Sequence, residues 1–148
     1  PDHFGLTPQS EREIQFFRYT LARLACYPIV LWDSGIDISE YRSNDWIDWF
    51  VGWIKNNDPW RHPVGSRTGG GSGGIIPEGA TYYSTGGAEL PTWRELVRSY
   101  WALATRRSFP VAHTDHWRPF HTRGNWTHEK IRCALWRCMT AGGQALYP

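Results

Sequence analysis

Leu31-Trp32-Asp33-Ser34-Gly35-Ile36-Asp37 and Pro110-Val111-Ala112-His113-Thr114-Asp115 are the two stretches on which the fold turns. Each is a short β-rich run that leads into aspartate. The apolar run Ile29-Val30-Leu31-Trp32 reads as a strand buried on both faces of a parallel sheet. Phe109-Pro110-Val111-Ala112-His113 reads as a second one.

Working outward, helices flank these runs. Ser10-Glu11-Arg12-Glu13 is a capping box, and Ile14, Phe17, Leu21 and Leu24 continue it at helical spacing until Pro28. A helix over residues 45–56 places Trp46, Ile47, Phe50, Trp53 and Ile54 on one face and stops at Asp58-Pro59. Thr92-Trp93-Arg94-Glu95 is a second capping box, followed by Leu96, Val97, Tyr100 and Leu103. Thr127 caps the last helix, which Gly142-Gly143 ends. Residues 62–67, 80–85 and 144–147 supply further strands. The order is α, β, α, β, β, α, β, α, β, and that alternation predicts an α/β fold of parallel β/α units.

A (β/α)8 barrel takes about 250 residues, whereas this chain has 148. The expectation is therefore a partial TIM barrel, about strands four to eight, incomplete without its N-terminal strands. Residues 68–74, Thr-Gly-Gly-Gly-Ser-Gly-Gly, form a flexible loop or a linker. They are no phosphate loop, because no GK[ST] follows.

At 41% hydrophobic and 20% charged, the chain is globular rather than disordered. A net charge of +2 gives little reason to expect nucleic acid. No run is long enough to span a membrane. Three cysteines without a CxxC pair argue against a disulfide framework or a zinc site, so buried free thiols are expected. The ten tryptophans suit either sugar stacking or core packing, and most are assigned to the core.

Tyr27-Pro28-Ile29-Val30-Leu31-Trp32-Asp33-Ser34-Gly35-Ile36-Asp37 resembles the fourth-strand region of (β/α)8-barrel glycoside hydrolases, in particular the apiosidase-like group. Residues 22–28, Ala-Arg-Leu-Ala-Cys-Tyr-Pro, are similar to the helix that leads into that strand. Residues 58–64 look like the approach to strand five, and residues 131–143 like helix seven leading to strand eight. The resemblance covers nearly the whole chain, as the C-terminal half of a catalytic barrel. It implies retaining hydrolysis of a poly- or oligosaccharide by two carboxyl groups about 5–5.5 Å apart. Asp37 falls at the acid/base position and Asp115 at the nucleophile position. That nucleophile is usually glutamate, and Ile36 stands where the group has a polar residue. Asp33 and Glu40 are the fallback acids.

Substrate-binding candidates are Tyr83 (or its neighbour Tyr82), His113, Trp117, Arg118, Arg67 and Trp126. The tryptophans are placed for sugar stacking and the arginines for hydroxyls or a uronate carboxylate. His113, Asp115, His116 and His121 have no regular ligand spacing, so no metal and no cofactor is expected. The alternative function is carbohydrate binding without catalysis, or docking of a partner. A half barrel exposes two sheet edges, so the expected partner is the remaining half of the barrel or another copy of the chain. The compartment stays open, with a secreted or periplasmic location favoured over the cytoplasm.

Overall fold

The computed structural model describes residues 7–35, 38–67, 76–85, 92–106, 110–113 and 126–145. Among these residues four α-helices dominate: α1 (Glu11–Leu24), α2 (Asn44–Asn57), α3 (Trp93–Arg106) and α4 (His128–Thr140). Five short strands accompany them: β1 (Trp32–Asp33), β2 (Val64–Gly65), β3 (Tyr83–Thr85), β4 (Val111–His113) and β5 (Gln144–Ala145).

The helix starts follow from local chemistry. Ser10, Ser43 and Thr127 each accept a backbone N–H of the first turn through the side-chain hydroxyl, supplying an acceptor that the helix itself lacks. Thr92 and Glu95 form a reciprocal box, with Thr92 N–H donating to Glu95 Oε2 at 2.7 Å and Glu95 N–H to Thr92 Oγ1 at 3.3 Å. At the end of α4, Gly142 takes φ +91°, a left-handed conformation that a Cβ disfavours.

Two apolar clusters form. The first packs α1 against α2 over β1 and β2: Phe17 meets Phe50 edge-on at 5.3 Å, and Trp46 stacks on Phe50 at 5.4 Å. The second gathers Tyr83, Leu96, Tyr100, Val111 and Ile131 between α3, α4 and the β3–β4 strands. Inside it Tyr100 O–H donates to Cys138 Sγ at 3.2 Å.

The expected partial TIM barrel is not what the described residues form. The strands are two or three residues long and make two separate sheets, β1-β2 and β3-β4-β5, each parallel. The break between β2 and β3 has a local cause. On the β3 side of β2, Val64 N–H donates to Thr81 Oγ1 at 2.9 Å. That side-chain oxygen takes the donor that a neighbouring strand's carbonyl would otherwise receive. Between the segments, the backbone bonds Thr81 N–H to Val64 O (2.8 Å) and Ser84 N–H to Ser66 O (3.4 Å) also cross, and Thr81 Oγ1 donates to Val64 O at 3.2 Å.

The strand lengths are corrected too. Ile29-Val30-Leu31-Trp32 was expected to be buried on both faces, but Ile29 is 89% exposed and only Trp32 enters the ladder. Pro63 and Pro110 stand directly before β2 and β4 and have no N–H to extend either ladder. Of the thiols, Cys138 is buried, whereas Cys26 and Cys133 are exposed, contrary to the expectation of three buried ones.

Candidate functional site

The polar groups that converge best lie at the C-terminal end of the β1-β2 pair. β1 ends on Asp33, β2 leads into Ser66 and Arg67, and Tyr82 reaches in from the residue before β3. Gly35 N–H donates to Asp33 Oδ1 at 2.9 Å, and Tyr82 O–H lies 3.1 Å from Asp33 Oδ2. The same phenol lies 2.9 Å from the Trp32 carbonyl oxygen. Arg67 gives the carboxylate a backbone N–H and places its positive charge nearby. Beside it, the Ser34 and Ser66 hydroxyls are 2.7 Å apart.

Sequence makes this arrangement possible at Gly65. A Cβ there would fall 2.6 Å from the Tyr82 ring, so only glycine lets the aromatic face lie against β2. The ring crosses β2 over that position and brings its hydroxyl to β1.

Asp33 is solvent-exposed as a residue, yet protein crowds its carboxyl. Burial is the largest influence and raises its pKa above the ordinary 3.8; the bonds from Gly35, Tyr82 and Arg67 and the charge of Arg67 oppose it without cancelling it. Burial and the charge of Asp33 push the Tyr82 phenol up, which keeps it a neutral donor. Asp33 and Ser34 also line a cavity of about 190 Å³ between α1, β1 and α2, whose apolar wall includes Phe17, Trp32, Trp46 and Phe50.

A second aspartate closes the region below. Asp58, 4% exposed, accepts from Trp32 Nε1 (2.9 Å), Trp60 N–H (3.0 Å) and His62 N–H (2.9 Å), and pairs with His62 Nδ1 at 2.8 Å. Burial raises its pKa, but these hydrogen bonds outweigh burial and leave it below the ordinary value. It is a structural staple that fixes Trp32, the residue next to Asp33. Another buried carboxylate, Glu13, accepts from Trp46 Nε1 at 3.1 Å and faces Arg42 at 3.6 Å, joining the first turns of α1 and α2.

The residues expected at a sugar site fall in different places. Asp37, Asp115, Trp117 and Arg118 lie outside the described residues, as do His116 and His121 and the 68–74 stretch. His113 ends β4, beside Thr85 of β3 and Ala145 of β5. Tyr83 and Trp126 are buried in the second cluster, at 8% and 3% exposure. Arg67 is in the site, but 1% exposed, with its backbone and charge directed to Asp33. Glu40 lies in a 3-10 turn (Ile38–Glu40) and is exposed.

Asp33, a fallback, and Tyr82, the neighbour of the favoured tyrosine, are thus the pair brought together. The signal for Asp33 was its place directly after the apolar run. The signal for Tyr82 was its parity against Gly65, which needs the β2-β3 register. Among the described residues no three His, Cys, Asp or Glu side chains are grouped to hold a metal ion. No described helix is long and apolar enough to cross a membrane.

Comparison of the chain with protein-family models, with curated proteins and with solved structures gives no match.

Proposed function

We propose that the chain hydrolyses a glycosidic bond by carboxylate chemistry, with Asp33 as the proton donor. The observation that carries this reading is the environment of Asp33: an exposed residue at a strand end whose carboxyl is crowded by protein, so that burial raises its pKa above the ordinary 3.8. A general acid must keep its proton at working pH yet release it to a leaving oxygen, and burial of a carboxyl shifts its pKa in that direction. The adjoining aromatic-walled cavity, about 190 Å³, suits one ring-sized group, since an apolar cavity of about 150 Å³ holds a benzene ring. Asp37 and Asp115 are the candidates for the second carboxylate, on sequence position alone.

The test is turnover of a panel of aryl and alkyl glycosides by the parent chain and by Asp33→Asn, Asp37→Asn and Asp115→Asn, with sugar binding measured separately. The proposal expects Asp33→Asn to lose about 10²–10⁴-fold in turnover, the usual worth of a positioned acid. Turnover unchanged in Asp33→Asn would refute it.

A second reading is sugar binding without catalysis. It draws on the three donors that face the Asp33 carboxylate, because donors of this kind stabilise the ionised form and oppose an acid's role. Saturable sugar binding in a parent chain that turns over no glycoside would favour it.

A further inference from the structure

We infer that Tyr82 is a positioning residue for Asp33, reaching over Gly65 to hold the carboxyl through a hydroxyl that has two alternative acceptors. This rests on the reading of Asp33 as the working carboxyl and adds the group that acts through it. The phenol oxygen stands 2.9 Å from the Trp32 carbonyl and 3.1 Å from Asp33 Oδ2. It has one proton to donate and two acceptors on adjacent residues of β1.

When Asp33 is ionised, the Tyr82 proton points to Oδ2. When Asp33 carries its own proton, the hydroxyl rotates to the Trp32 carbonyl, and its oxygen is then free to accept from the carboxyl. No bond to hydrogen is broken in Tyr82; the proton that comes and goes belongs to Asp33 and exchanges with solvent or substrate. Either way the carboxyl stays docked, so its direction is preserved while its charge changes.

The arrangement is built rather than incidental. Tyr82 is 7% exposed and its ring lies against Gly65 closely enough to exclude a Cβ, so the phenol has little room to leave. Among the described residues, Tyr82 and Arg67 are the titratable or charged groups that act on Asp33. Arg67 supplies a positive charge and a backbone N–H, and Tyr82 supplies the orientable donor.

The experiment is a carbon-detected NMR titration of the Asp33 carboxyl in the full chain, assigned by its loss in Asp33→Asn. It is repeated in Tyr82→Phe and in the control Tyr83→Phe. Removing the hydroxyl takes a charge-assisted bond from the ionised form and only a weaker neutral one from the protonated form, so Tyr82→Phe is expected to tighten proton binding at Asp33 by at least about threefold, and Tyr83→Phe to leave it unchanged. An unmoved midpoint in Tyr82→Phe, or an equal shift in both variants, overturns the inference. Should Tyr82→Phe not fold, Gly65→Ala keeps the phenol but pushes its ring away, and the same upward shift is expected there. A Tyr82-dependent midpoint in a chain that cleaves no glycoside would keep the positioning role and discard the hydrolase reading, so the two fail separately.

Discussion

The hydroxyl of Tyr82 lies 3.1 Å from Oδ2 of Asp33 although Gly65 of the intervening strand stands between their backbones. Three sequence positions, 33, 65 and 82, are therefore one unit. An acidic strand end, a missing side chain and an aromatic donor have to coincide for the carboxyl to be held.

Substitution of Gly65 tests the unit's packing. A methyl group at Gly65 meets the Tyr82 ring at 2.6 Å. Overpacking of this kind costs about 1–3 kcal/mol, read as a lower urea midpoint for Gly65→Ala. Trimming the ring removes the clash, so in the double variant Gly65→Ala, Tyr82→Ala the two costs should sum to less than their separate values. Strict additivity would mean that the ring and the glycine do not share the space.

Asp33 and Asp58 should give stability opposite dependences on pH. Asp33's pKa is raised, by burial first, so its proton is held more tightly in the folded chain than in the unfolded one. Its contribution is fully present below the ordinary 3.8 and declines as pH rises from there through the folded value. Asp58 is the reverse case. Burial is outweighed by the bonds from Trp32, Trp60 and His62, its folded pKa is lowered, and its contribution is present above the ordinary 3.8 and lost as pH falls through the folded value. Urea midpoints from pH 2 to 7 check this. Asp58→Asn should flatten the loss on acidification, and Asp33→Asn should flatten the decline on raising the pH above about 4.

Asp58 also carries packing. In Asp58→Ala the indole N–H of Trp32 and the two backbone donors of residues 60 and 62 lose their acceptor. Leaving buried donors unsatisfied costs about 1–3 kcal/mol for each such group that water does not reach. A stability change under about 0.5 kcal/mol would show that water replaces the carboxylate there.

Glu13 joins two helix starts. Its carboxylate is 2% exposed and holds Trp46 Nε1 and Arg42. Glu13→Ala is expected to destabilise by about 1–3 kcal/mol, less than for a fully buried pair, because the Arg42 side chain is 21% exposed and can turn to water. Trp46 fluorescence should shift in the same variant as the indole loses its acceptor. An unchanged spectrum would place the indole's partner elsewhere.

Helix starts were legible because they are decided locally: Ser10, Thr92 and Thr127 cap through their own hydroxyls, and Gly142 ends α4 through its own φ. The sheet was not legible. Ile29 and Leu31 are as apolar as buried strand residues, yet both are exposed, and pattern alone does not separate an apolar loop from a short strand. The break between β2 and β3 depends on the Thr81 hydroxyl finding Val64, a tertiary event without a motif. The site was half legible. Position after the apolar run marked Asp33, whereas the choice between Tyr82 and Tyr83 needed the register. Trp126 lies in the second cluster, and sequence alone did not place it there because an indole suits a sugar face and a core equally well.

The most direct measurement for Asp33 as proton donor compares leaving groups. Dinitrophenyl glycosides depart without protonation, whereas alkyl glycosides need an acid. Asp33→Asn should lose about 10²-fold or more on alkyl glycosides and far less on dinitrophenyl ones. Equal losses on both, or no loss on either, would contradict it.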